Sequence, residues 1–161
     1  MPVALYAGTF DPVTMGHQDI VKRAASLFEH VIVGVFDTPS KTLLFSTEER
    51  VDLFRKAVES MPNVEVRPYS GLTVGFAQEI GATAMIRGLR SITDLDYEAA
   101  MVMMNRKLHP TVDTVFLYTS LEYQFVSSTL IKEVAHYEGD IHDLVPEHVA
   151  VALAEKIRSD P

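Results

Sequence analysis

The chain has 161 residues, 47% of them apolar and 22% charged, with a formal net charge of −8 and no cysteine. That length suits one ordinary domain over residues 1–161, able to bury roughly 70% of its unfolded surface, and the ordinary apolar fraction excludes disorder. Lack of cysteine removes disulfides, thiolate metal sites and cysteine nucleophiles together, and the acidic balance argues against sequence-independent binding of nucleic acid, which draws on clustered Lys and Arg.

The start, Met1-Pro2-Val3-Ala4, lacks the basic stretch of a secretory leader, and no apolar run approaches the roughly 18 residues of a membrane span. A cytoplasmic protein without membrane attachment is expected. Residues 3–7 are apolar and close on Gly8, after which Ile20, Ala24, Leu27 and Phe28 recur at helical spacing. The β-branched run at 31–36 reads as a second buried strand, so the chain opens as a β-α-β unit. Ser46 and, three residues on, Glu49 form a capping box ahead of Val51, Phe54 and Val58, predicting a helix to about Ser60. Pro62-Asn63 breaks it, 64–66 reads as strand, and Val74, Ala77 and Ile80 form a helical stripe ended by Gly81.

Residues 84–86 read as a fourth strand. Tyr97, Met101, Met104 and Leu108 predict a longer helix over about 93–108, stopped at His109-Pro110, and 114–117 supplies a fifth strand. Met101, Met103 and Met104 read as core or subunit-interface packing rather than as a cofactor box. Two helices close the chain, one entered at Ser127-Ser128 and running to about His136, the other with Pro146 near its first turn and running to about Arg158.

Strands alternating with helices predict an α/β fold, a doubly wound sheet of five parallel strands with right-handed crossovers and C-terminal helices. Such sheets bind ligands beyond the carboxyl ends of their strands, where the strand order reverses. After the first strand, Gly8 lets backbone approach a ligand and Thr9 offers a hydroxyl and an N–H, while Gly16 and His17 begin a helix whose unpaired N–H groups and dipole favour phosphate. An imidazole there can donate to a phosphate oxygen as charge builds in transfer; a helix-start histidine without chemistry is the competing reading. Lys41 alone would be a solvated loop charge and Glu98 a solvated helix carboxylate. Arg87-Gly88-Leu89-Arg90 sets two guanidiniums around a glycine turn, fork-shaped donors for phosphate. Ser127 and Ser128 offer hydroxyls and N–H groups at another helix start, where an ordinary N-cap is the competing reading.

Gly8-Thr9-Phe10-Asp11-Pro12 followed by Thr14-Met15-Gly16-His17 resembles the T/HxGH signature of the nucleotidylyltransferase superfamily, and the phosphopantetheine adenylyltransferase family in particular. The N/S-P-S/A-K stretch ending at Lys41, the R/K-G-L-R segment from Arg87, the D-x-x-Y/F-E segment ending at Glu98 and the S-S-[ST]-x-[IL]-[RK] segment from Ser127 to Lys132, continued by Glu133-Val134, extend the resemblance in order. Departures are Ala7 where proline is common, Tyr123 where tryptophan is frequent, and Thr129 at the third position of the last motif.

The resemblance implies a Rossmann-like nucleotidyltransferase fold and transfer of AMP from ATP to 4′-phosphopantetheine by direct in-line displacement. It implies His17 as stabiliser of the transition state and Thr9, Lys41, Thr73 and Arg87 as contacts of the acceptor. ATP would be held by Thr9, Phe10, His17, Gly88, Leu89, Arg90, Glu98, Tyr123, Gln124, Phe125, Val126, Ser127, Ser128 and Thr129. Mg²⁺ carried by the ATP phosphates, a homohexamer built as a trimer of dimers and feedback by coenzyme A are implied in the same way, with no metal ligand from the protein. Two readings compete: a superfamily enzyme with another acceptor, such as a nicotinamide-mononucleotide adenylyltransferase or a cytidylyltransferase, and a non-catalytic nucleotide sensor on the same scaffold. The Arg87-Gly88-Leu89-Arg90 and Ser127–Val134 segments disfavour the first, and retention of His17, Lys41 and both arginines disfavours the second.

Overall fold

The computed structural model describes residues 2–38 and 42–159, so Lys41, with Pro39 and Ser40, lies outside the described residues. The short β-branched runs form β1 (Val3–Gly8), β2 (His30–Phe36), β3 (Val64–Tyr69), β4 (Ala84–Leu89) and β5 (Asp113–Tyr118). Each paired strand runs parallel to its neighbour, in the order β3-β2-β1-β4-β5. Strand order reverses between β1 and β4, which pair through Leu5 with Met85 and Tyr6 with Ile86. In an open parallel sheet the crevice outside that reversal is where ligands bind.

Ala4 to Ala7 are all buried because both faces of the sheet are covered. The two-residue period still operates: Ala4 and Tyr6 join the larger core with Ile20, Phe54, Ile131 and Leu153, whereas Leu5 and Ala7 join the smaller core with Ile32, Tyr69, Val74 and Met85. The larger core packs under α1 (Met15–Leu27), α2 (Thr47–Ala57), α5 (Ser128–His136) and α6 (Glu147–Ser159), and the smaller under α3 (Thr73–Glu79). Full burial of a side chain such as Phe54 contributes on the order of 2–3 kcal/mol.

Several boundaries differ from the sequence expectation. Helix α2 stops at Ala57 rather than Ser60, and β3 continues to Tyr69 through Pro68, which an edge strand tolerates. Arg87, Gly88 and Leu89 are not a turn: they end β4 and pair with Phe116, Leu117 and Tyr118. A 3₁₀ turn at Leu121–Tyr123 precedes α5.

The long helix α4 (Ile92–Leu108) departs most. None of its residues is buried, and Ile92, Tyr97, Met101, Met103 and Met104 are all exposed. Its methionines therefore do not belong to the core of this chain. Among the described residues no helix is long and apolar enough to cross a membrane.

Candidate active site

Thr14 caps α1 from an extended backbone (φ −119, ψ 172), its Oγ1 accepting from the His17 N–H at 3.3 Å. The bond is reciprocated: the Thr14 N–H donates to Nδ1 of His17 at 3.0 Å. A capping box normally returns that bond with Glu or Gln; here an imidazole does so. A backbone N–H has no lone pair, so Nδ1 must be the accepting nitrogen and the ring proton of the neutral imidazole sits on Nε2. Burial, then the positive charge of Arg90, pushes the His17 pKa down to about 4. His17 is thus a neutral ring held by its backbone, with one N–H free to donate elsewhere.

The ring is also supported by Phe10, edge-on at 5.0 Å, and Phe10 packs in turn on Phe54 and Tyr6. Phe10 is a core residue (5% exposed) held at φ 52, a left-handed backbone rare outside glycine. It leaves no room beside Gly8, where an added Cβ would stand 2.9 Å from the Phe10 ring. The glycine is demanded by the protein's own aromatic ring.

Facing α1 across the loop, Ser127 caps α5, its Oγ accepting from the Leu130 N–H at 3.1 Å. Ser128 Oγ donates to the Pro12 carbonyl at 2.7 Å, joining the second helix start to the loop of the first. The Ser128 O–H is thereby used in architecture, whereas Ser127, accepting at Oγ, keeps its own O–H as a donor on the cleft wall. The first-turn N–H groups of Ser128 and Thr129 have no intrahelical partner and remain for a ligand. Met15 donates its N–H to Leu144, so on α1 that task falls to Gly16.

Between the two helix starts lies a cleft of about 310 Å³, lined by Gly8, Thr9, Phe10, Gly16, His17, Arg87, Gly88, Arg90, Tyr123, Val126, Ser127 and Ser128, with Tyr6, Ile20 and Thr119 besides. A second cleft of about 420 Å³ is lined mainly by apolar groups, among them Leu5, Phe36, Leu72, Val74, Met85 and Met101. Ala7, Gly8, Thr9, Ile86 and Arg87 wall both. The two clefts therefore meet at the β1/β4 reversal, with Arg87 on the shared wall.

Arg87 is held there by Glu98 of α4, through Nη2 to Oε1 at 2.6 Å and Nε to Oε2 at 3.2 Å. Burial works against its charge, but the bonds to Glu98 outweigh it and raise the Arg87 pKa. Thr73, at the start of α3, shares a hydrogen bond of 2.9 Å with the Tyr69 hydroxyl on the wall of the second cleft. The Thr114 hydroxyl on that wall is buried without a partner.

The residues singled out from sequence separate as follows. Thr9 and Arg87 reach both clefts; Phe10, His17, Gly88, Arg90, Tyr123, Val126, Ser127 and Ser128 line the first; Thr73 and Glu98 line the second. Leu89, Gln124, Phe125 and Thr129 line neither, Leu89 being buried and Phe125 exposed. Sequence reasoning gave no structural role to Thr14 or Asp11, although a threonine three residues before His17 was a visible capping signal. Tyr69 and Asn105, also on the second wall, carried no signal of their own.

A sheet open at its reversal, with two helix starts, a donor imidazole and an arginine around one crevice, is the arrangement of a nucleotidyltransferase. The Cytidylyltransferase-like family profile matches residues 5–134. A phosphopantetheine adenylyltransferase of Caldanaerobacter subterraneus subsp. tengcongensis is 47% identical over 158 residues, covering 98% of this chain and 99% of the relative. One from Desulforudis audaxviator is 48% identical over 97% of this chain and 96% of its own. A solved structure titled a putative nicotinate-nucleotide adenylyltransferase, from Vibrio parahaemolyticus, superposes with a TM-score of 0.73 over 100% of this chain and 98% of its own; at 18% identity that likeness shows the fold. The chain belongs to the phosphopantetheine adenylyltransferase family of these cytidylyltransferase-like enzymes.

Proposed function

We propose that this protein transfers the adenylyl group of ATP to 4′-phosphopantetheine, giving dephospho-coenzyme A and pyrophosphate. The observation that carries the reading is the meeting of a donor-lined cleft with a largely apolar one at Arg87. The first suits a triphosphate, the second suits a flexible arm, and the arginine between them suits the phosphate at the arm's end.

An oxygen of the acceptor phosphate attacks the α-phosphorus of ATP, the bond to the β-phosphate breaks, and pyrophosphate leaves in line. The N–H groups at the starts of α1 and α5 hold the triphosphate, with Arg90 beside them. Nε2–H of His17 donates to the oxygens on which charge builds, and losing one such donor costs about 100- to 1000-fold in rate. Lys41 is assigned to the acceptor phosphate on its sequence motif alone, and Thr73 to the pantetheine arm. No carboxylate lines the first cleft among the described residues, so Mg²⁺ would be held there by the substrate rather than by the protein and would supply neutralisation of the triphosphate charge.

The same reading takes residues 1–161 as one nucleotidyltransferase domain working in the cytoplasm. It assigns the exposed apolar residues of α4, Tyr97, Met101, Met103 and Met104 among them, to contacts between copies in a homohexamer. It also makes coenzyme A, which carries the pantetheine arm of the product, a feedback ligand of the second cleft. Pyrophosphate release with a panel of acceptors tests the reaction. Turnover is expected with ATP and 4′-phosphopantetheine and not with nicotinamide mononucleotide or with CTP in place of ATP; equal or faster turnover with another pair would overturn the assignment.

A further inference from the structure

Asp11 touches neither cleft, yet among the described residues it is the one buried carboxylate, 3% exposed. Its Oδ1 accepts from the Phe45 N–H at 2.9 Å, and its Oδ2 accepts from the Leu44 N–H at 3.0 Å and from Lys132 Nζ at 2.8 Å. A carboxylate taken out of water is costly unless its oxygens are paired, and here three donors from two distant parts of the chain pair it. Each connected segment bears on the reaction. Asp11 belongs to the loop that carries Thr9 and leads to His17; Leu44 and Phe45 close the stretch that follows Lys41 in sequence; Lys132 stands one turn into α5, behind Ser127 and Ser128.

Four further bonds, from Ser128 and Arg50, run along the same lines. Ser128 Oγ donates to the carbonyl of Pro12, the residue after Asp11. Arg50, 1% exposed, donates to the carbonyls of Thr9 at 2.8 Å, Phe36 at 2.9 Å and Phe45 at 3.3 Å, tying the ends of β1 and β2 to the start of α2. The phosphate loop and the segment before α2 are thus braced twice, but only Asp11 also reaches α5 by charge.

We propose that Asp11 is a positioning residue for adenylyl transfer: through Leu44, Phe45 and Lys132 it sets the starts of α1 and α5 and the residues just before α2 in one register around the transferring phosphorus. This rests on the function proposed above. ATP in its ground state is held by many donors and tolerates a small slip of one of them. In-line displacement does not, since a misplacement of about 1 Å costs on the order of 100-fold in rate. A neutral amide cannot replace the carboxylate, because Asn offers one accepting oxygen and turns an NH₂ group toward a donor.

The test is Asp11→Asn in the full chain, with pyrophosphate release, the KM for ATP and thermal unfolding measured together at a temperature where the variant is folded. A wild-type protein inactive with ATP and 4′-phosphopantetheine would sink the functional reading and leave no reaction to position. With the wild type active, kcat is expected to fall about 100-fold while the KM for ATP stays within about threefold. A kcat within about twofold of wild type overturns the proposal, and a raised KM for ATP beside that unchanged kcat does so too, since that signature belongs to ground-state binding. Should Asp11→Asn fail to fold, Lys132→Met decides, because Lys132 is partly exposed and its loss leaves the backbone bonds of Asp11 in place. There kcat is expected to fall at least about tenfold, with Lys132→Arg recovering most of the loss. Unchanged kcat in Lys132→Met, or no recovery in Lys132→Arg, overturns the proposal.

Discussion

His17 is expected to stay neutral through the whole physiological range, and that consequence is measurable in the free protein. A fall from 6.5 to about 4 corresponds to about 3 kcal/mol between its protonation states, at roughly 1.4 kcal/mol per pH unit. Below pH 6.5 the unfolded chain takes up a proton that the folded ring refuses, so stability falls as pH falls, and the loss reaches its full size below pH 4. A ¹³C and ¹⁵N NMR titration of the histidines, with His17 identified by its absence in His17→Gln, reads both claims. The His17 ring is expected to show one unprotonated nitrogen at Nδ1 at pH 7 and no titration above pH 5. Stability of the wild type should fall more steeply than that of His17→Gln between pH 6.5 and 4. Protonation of His17 between pH 6 and 7, or a proton on Nδ1, would refute the capping geometry and the electrostatics drawn from it.

Gly8→Ala is expected to destabilise the protein by about 1–3 kcal/mol and to cut turnover sharply, because its Cβ displaces the Phe10 ring that supports His17; unfolding and pyrophosphate release check the two effects. Thr14→Val keeps the backbone bond to Nδ1 but removes the cap, so a loss of about 1 kcal/mol and about 2–4 °C in Tm is expected, read by thermal melts. The acid limb of kcat/KM should fall near pH 6, following the second ionisation of the acceptor phosphate rather than any group of the enzyme. Pyrophosphate release measured across pH tests it, and a limb that tracked His17 near pH 4 would count against it.

What sequence could show depended on whether the relevant force was local. Ser46 and Glu49 cap α2 as their spacing says, with mutual bonds of 2.7 and 3.2 Å, since a capping box is closed within four residues. The alternation of strands and helices gave the sheet for the same reason. The end of β4 was misread as a turn because Gly88 looks like punctuation, while its place is set by pairing with Leu117, a partner far along the chain. Helix α4 shows the converse: its spacing predicts a helix correctly, yet spacing alone does not say what its apolar residues face, and within this chain they face no core. At the site, the motif residues point to phosphate chemistry individually. That Ser128 serves the Pro12 carbonyl, that Phe10 fills the space beside Gly8, and that Glu98 holds Arg87 are relations across the fold which no local pattern encodes.

The chemistry around the first cleft is one-sided, and that resolves an apparent conflict with the charge of −8. Backbone N–H groups, the Nε2–H of His17 and two arginines surround it, and among the described residues no carboxylate faces in. Distant surface charges are screened beyond about 8 Å at physiological salt, so a bound phosphate experiences this local donor set far more than the net charge of the molecule. Among the described residues the cleft offers no carboxylate, and its one imidazole is already engaged at Nδ1, so nothing there stands ready as a general base. It needs none, because a phosphate monoester is already mostly ionised at neutral pH and brings its own nucleophilic oxygen. The usual reason for tuning a histidine toward pH 7 is to exchange a proton with substrate. Where that exchange is unnecessary, a ring pinned neutral by Thr14 suits the role proposed for His17, since its one remaining N–H is fixed in direction and would require no reorganisation as charge moved onto the transferring phosphate.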